Sequence, residues 1–113
     1  MKLSYLQTAQ PGVRWYRSYY RQNPQLDWAK AVAALRTAET ILRDQPLTGK
    51  RMEGRSAVRE YQLIGTAFSL LYTVDKDAIW IIDIRDQRGF RSAEALRHFN
   101  HELRQRFGLD KDR

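Results

Sequence analysis

Between Val58 and Ile84 the chain drops its helical periodicity and alternates instead. Val58-Arg59-Glu60-Tyr61-Gln62-Leu63-Ile64 alternates between two faces, Phe68-Ser69-Leu70-Leu71-Tyr72-Thr73-Val74 follows, and Ile79-Trp80-Ile81-Ile82-Asp83-Ile84 closes the set. Gly65-Thr66-Ala67 and Asp75-Lys76-Asp77 separate the runs. Short β-branched and aromatic runs divided by three-residue polar or glycine-containing breaks predict an antiparallel meander. Arg85-Asp86-Gln87-Arg88-Gly89 then brings basic side chains to one edge of the sheet. A compact sheet with placed arginines is suited to an anionic partner.

Helical patterns flank the meander. Leu3 to Leu6 can form a short first strand, and Pro11 suits the first turn of a helix. From Val13 to Gln22, Val13, Trp15, Tyr16, Tyr19 and Tyr20 share one broad face, and Arg14, Arg17 and Arg21 take the other. Asn23-Pro24 ends this helix. A second helix is predicted over 27–44, with Trp28, Val32, Leu35 and Leu42 as its apolar stripe and Ala31 and Ala38 beside them. The two helices should form a hairpin whose aromatic face covers one side of the sheet. Glu39 interrupts the stripe and is read as a core-rim carboxylate paired with an Arg or a Tyr hydroxyl. Beyond the sheet, Ser92 suits an N-cap, Leu96, Phe99, Leu103 and Phe107 recur at three and four residues, and Gly108 is a natural stop. The expectation is one α+β domain spanning 1–113, with an extra C-terminal helix over about 92–107 and a frayed tail over 109–113.

Charge narrows the partners. Twenty Lys and Arg against 13 Asp and Glu give a formal net charge of +7, which favours nucleic acid, an acidic surface or an acidic protein. The absence of cysteine excludes disulfides, thiol catalysis and Cys-ligated zinc, and suits a reducing cytoplasm. No signal-peptide core and no membrane-length apolar run is present, so no membrane partner is expected.

Candidate chemistry is sparse. His98 and His101 have a spacing that can seat a metal on a helix, but they project away from the apolar stripe and read as solvated. Gly49 and Gly54 flank a basic loop, Lys50-Arg51-Met52-Glu53, with no phosphate-binding glycine pattern. Lys50 and Arg51 can track a phosphate backbone from that loop, or simply remain solvated there. Arg59, Arg85 and Arg88 are the stronger candidates for contacting a target. The alternative for each is a surface salt bridge to Glu60, Asp83 or Asp86. The first and third meander strands run in the same direction, so clustering of Arg59 with Arg85 and Arg88 depends on twist and loop path. No metal, no cofactor and no catalytic residue is assigned.

The order of elements and their motifs resemble the RelE/ParE superfamily of type II toxin-antitoxin toxins. The residues that carry the likeness are Pro46-Leu47-Thr48-Gly49-Lys50, Val58-Arg59-Glu60-Tyr61, Gly65 to Val74 and Ile81 to Arg88, with the resemblance running over about 1–90. It implies a β-α-α-β-β-β fold and a cytoplasmic, growth-inhibiting toxin, of the kind linked to plasmid stabilization. A cognate antitoxin would silence it in a toxin–antitoxin hetero-oligomer. RelE-like members cut mRNA in the ribosomal A site, whereas ParE-like members poison DNA gyrase. Arg59 matches an arginine that both branches often carry. Ser69 stands where RelE-like chains commonly place Arg, Asp86 stands where many members have His, and no Tyr follows the last strand. General acid catalysis needs a proton donor, and Phe90 cannot be one. The expectation is therefore a ParE-like gyrase poison. A ribosome-dependent endoribonuclease is the alternative, and a non-toxic basic nucleic-acid-binding domain is a third reading. The antitoxin is expected on the Leu96, Phe99, Leu103 and Phe107 stripe.

Overall fold

The structure is a computed structural model that describes residues 1–87. Arg88, the predicted helix over 92–107 and its apolar stripe of Leu96, Phe99, Leu103 and Phe107 lie outside the described residues, as do His98 and His101. Strand β1 (Lys2–Tyr5) leads through a 3-10 turn (Gln7–Ala9) into α1 (Gln10–Gln22) and α2 (Trp28–Asp44). Four strands follow: β2 (Lys50–Met52), β3 (Arg55–Gln62), β4 (Phe68–Asp75) and β5 (Ala78–Asp86). They form one five-stranded sheet in the order β1-β5-β4-β3-β2.

The meander is antiparallel, as its short breaks require. β1 pairs in parallel with β5, from Lys2 opposite Ala78 to Tyr5 opposite Ile81, so the whole sheet is mixed rather than antiparallel. The predicted basic loop at 50–53 is instead mostly an edge strand, with Lys50 opposite Glu60 and Arg51 opposite Arg59. Gly54, at φ +75°, supplies the left-handed residue that turns β2 into β3.

The helices cover one face of the sheet. Tyr16, Tyr20, Ala31, Ala38 and Leu42 share a buried cluster with Phe68, Leu70, Tyr72, Ile79, Ile81 and Ile84. Tyr16 and Tyr19 meet the Phe68 ring edge-on, with centroids 4.9 and 5.4 Å away. The Tyr16 hydroxyl donates to the Ala31 carbonyl at 2.8 Å and ties α1 to α2. Close approach at Gly12 seats α1 on β5, because a Cβ there would stand 2.0 Å from Asp83 Oδ1 and 3.0 Å from the Ile84 backbone. Glu39 sits at the rim as expected and accepts from the Tyr5 hydroxyl at 2.6 Å. Burial and the Glu39 carboxylate together push the Tyr5 phenol well above its ordinary pKa.

The predicted stripe of α2 needs one correction. Ala31, Ala38 and Leu42 are buried, but Trp28 is 41% exposed. It is the first residue of α2, directly after the Asp27 cap, and among the described residues the Tyr16 and Tyr20 rings stack against it. Helical periodicity assigns a face but does not tell where the neighbouring layer stops.

Candidate functional site: a polar groove on the sheet

Side chains alternate along a strand, and directly opposed residues share a face. Arg51, Arg59, Tyr72 and Ile81 therefore belong to one row on the helix side, while Lys50, Glu60 and Leu71 belong to the adjacent row on the other side. Gln62, Ser69 and Arg85 form a further row on that second face. The register thus divides the candidate contact residues: Arg59 and Arg51 lie on one face, Arg85 and Lys50 on the other.

Arg59 supports a loop. Its Nη1 donates to the Gly49 carbonyl at 2.8 Å and to that of Leu47 at 3.3 Å. Opposite it, the Tyr72 hydroxyl donates to the Pro46 carbonyl at 2.8 Å and accepts from the Gly49 amide at 2.8 Å. Burial raises the Tyr72 pKa against the lowering effects of the Gly49 amide and the Arg59 charge. Gly49 has no alternative here, since an added Cβ would come within 2.4 Å of the Tyr72 hydroxyl oxygen. The family-like segment Pro46 to Gly49 is thereby fixed at the head of β2, where it positions Lys50.

On the second face, an open groove of about 690 Å³ is lined by Thr48, Gly49, Lys50, Glu60, Tyr61, Gln62, Ile64, Ser69, Arg85 and Gln87. Arg85 Nη1 donates to both Glu60 oxygens at 3.2 Å across the intervening strand. Ser69, fully buried between them, donates its hydroxyl to Glu60 Oε2. Gln87 donates to Gln62 beside this cluster. Asp86 points elsewhere: it is buried and accepts from the Trp15 indole at 3.0 Å. No group of three or more His, Cys, Asp or Glu that could hold a metal occurs among the described residues.

Sequence reasoning singled out Lys50 and Arg85 as candidate contacts and offered Glu60 as a salt-bridge alternative, which Arg85 takes up, but gave no role to Gln62 or Ser69. Two signals were available. Glu60 and Gln62 are polar positions on one face of an alternating strand, and Ser69 is a hydroxyl set among Phe68, Leu70 and Leu71. Joining them requires the β3–β4–β5 register, which is a long-range property.

The chain matches, over residues 4–89, the family described as ParE toxin of type II toxin-antitoxin system, parDE. Comparison with curated proteins and with solved structures gave no match. The family match takes in the second half of β1, both helices and strands β2 to β5, and the chain belongs to this family of toxins. Among the described residues no helix is long and apolar enough to cross a membrane.

Proposed function

We propose that this toxin arrests growth as a ParE-like poison of DNA gyrase, without cutting RNA, and is neutralised by a cognate antitoxin. The observation that supports this choice is the Glu60–Ser69–Arg85 cluster at the centre of the groove. RNA cleavage by 2′-hydroxyl attack needs a base, an acid and cationic support for the pentavalent phosphate. Arg85 is the cation placed to give that support, yet Glu60 neutralises it. The same carboxylate would repel a scissile phosphate. Arg59 faces the opposite side and is engaged by backbone carbonyls. Asp86 is held by Trp15.

The ribonuclease remains the second reading because Lys50 lines the groove as a further cation. The deciding experiment pairs primer extension on mRNA from a reconstituted translation mix with a gyrase supercoiling assay. Gyrase inhibition with no discrete cuts is the expected result. A-site cuts that disappear in Lys50→Ala would overturn the gyrase reading in favour of the ribonuclease.

A further inference from the structure

Cationic charge is spread unevenly along the chain. Lys2, Arg14, Arg17 and Arg21 all precede the first carboxylate, Asp27, so the first 26 residues hold +4 of the net +7. Three of these cations stand on α1, a helix with no acidic residue at any position. Gln10, Arg14, Arg17 and Arg21 are exposed. At about 100° per residue they fall within an arc of about 60°, turned away from Gly12, Tyr16 and Tyr20, the buried residues of the helix. The three arginines pair with no carboxylate among the described residues.

The stripe is held in place from the core side. Gly12 seats α1 on β5, the Trp15 indole donates to Asp86 at 3.0 Å, and the Tyr16 hydroxyl donates to the Ala31 carbonyl at 2.8 Å. Arg21 complements the C-terminal end of the helix dipole, whereas Arg14 and Arg17 do not. Like charges three and four residues apart also weaken a helix, and an anionic partner removes that repulsion. A protein partner would need an apolar centre to bury, and the stripe contains none. Guanidinium and amide side chains are instead groups that contact phosphate oxygens.

We infer that the Arg14–Arg17–Arg21 stripe of α1 lies along the phosphate backbone of duplex DNA and reads its charge, not its sequence. The inference rests on the gyrase reading above, which supplies the duplex, because gyrase holds DNA while the toxin acts on it. It gives that DNA a contact surface on the helix side of the sheet, on the opposite face from Glu60 and the groove. Phosphates there escape the repulsion that the Glu60 carboxylate would exert.

The test measures binding of full-length toxin to a short mixed-sequence DNA duplex by fluorescence anisotropy across a salt series, beside a gyrase supercoiling assay. The variants are Arg14→Ala/Arg17→Ala/Arg21→Ala, the charge-preserving Arg14→Lys/Arg17→Lys/Arg21→Lys, and a matched removal from α2, Lys30→Ala/Arg36→Ala/Arg43→Ala. Circular dichroism melts confirm folding. Each neutralised phosphate adds about 0.9 to the slope of log affinity against log salt. The α1 alanine variant should therefore lose about 2–3 of that slope and at least about tenfold in affinity at low salt. The lysine variant should keep the slope, and the α2 variant should lose less than about 1. Gyrase inhibition should weaken at least about tenfold in the α1 alanine variant alone. Equal slope losses in the two alanine variants would overturn the stripe and leave wild-type gyrase inhibition, and hence the target, intact. Undiminished gyrase inhibition by the α1 alanine variant, or a wild type that binds no duplex at low salt, would also overturn it. Weakened inhibition with an unchanged DNA slope would assign the arginines to a protein contact, against the inference. A stripe-dependent preference for single-stranded RNA over the duplex would make RNA the partner and the inference wrong. Stripe-dependent duplex binding by a wild type that leaves gyrase active would keep the DNA contact and sink the gyrase reading.

Discussion

The two faces of the sheet handle polar groups in opposite ways. On the helix side, hydroxyls and a guanidinium are drawn into an apolar layer and bound to backbone: Tyr16 to Ala31, Tyr72 to Pro46 and Gly49, Arg59 to Gly49. The Tyr16–Ala31 and Gly49–Tyr72 bonds are made where water is scarce, and losing one strands a buried partner. On the groove side, side chains bind one another at the edge of solvent. The Arg85 and Glu60 side chains are 33% and 25% exposed, so water and salt screen their attraction. One face is therefore built for stability, and the other can change its charge without loosening the fold.

The largest test of this contrast is Phe68→Ala. Phe68 is fully buried beneath Tyr16 and Tyr19, and its removal should cost about 3–5 kcal/mol in denaturant unfolding. A cost under about 1 kcal/mol would mean that the helices do not depend on this aromatic contact. Next is Tyr72→Phe, which keeps the ring but strands the Gly49 amide and the Pro46 carbonyl, at about 1–3 kcal/mol. Amide exchange at Gly49 should accelerate in the same variant. Unchanged exchange would show that Arg59 alone holds the loop.

How much of this contrast could be read from sequence follows from how local each feature is. Strand alternation from Val58 to Ile64 placed Arg59 with Tyr61 and Leu63, and the aromatic face of α1 pointed to a sheet partner. Strand β2 was hidden because three residues, two of them basic and no longer than a turn, show no alternation. The parallel pairing of β1 with β5 joins residues more than seventy positions apart and leaves no local trace. The irregularity between Leu71 and Tyr72 shifts the β4–β5 register and so decides which β5 residues face the groove. The Glu60–Arg85 pair depends on that shift, which explains why the sequence could offer Glu60 only as one of three possible partners, beside Asp83 and Asp86.

Alkali should act mainly through the helix side. Burial raises the phenol pKa of Tyr5, Tyr16, Tyr20 and Tyr72, with Glu39 adding to the effect on Tyr5. An unfolded tyrosine ionises near pH 10, whereas these stay neutral in the folded chain to higher pH. The unfolded chain therefore releases protons first. Their contribution is fully present below about pH 10 and is lost as pH rises through the raised values. For a fully buried phenol such as Tyr16, each pH unit above that point costs about 1.4 kcal/mol until the folded group itself ionises. Unfolding titrations between pH 9 and 11.5 should show this steepening fall, and a flat profile would place these phenols in water.

The smallest stability effect should come from the groove. Glu60→Gln keeps the shape of the side chain and an oxygen for Ser69 and Arg85, but removes the charge that neutralises the arginine. The pair is partly exposed, so the expected change in unfolding free energy is under about 1 kcal/mol. A loss above about 2 kcal/mol would make the groove cluster a structural element like those beneath the helices, and the contrast between faces would fail. The same variant probes mechanism because it leaves Arg85 as an uncompensated cation in the groove that Lys50 also lines. If the toxin is not a ribonuclease, freeing Arg85 should produce no mRNA cuts, and growth arrest should persist. If Glu60→Gln gains discrete cleavage on translating ribosomes, the carboxylate was what kept a phosphate out, and the groove is a suppressed nuclease site in place of a surface for gyrase.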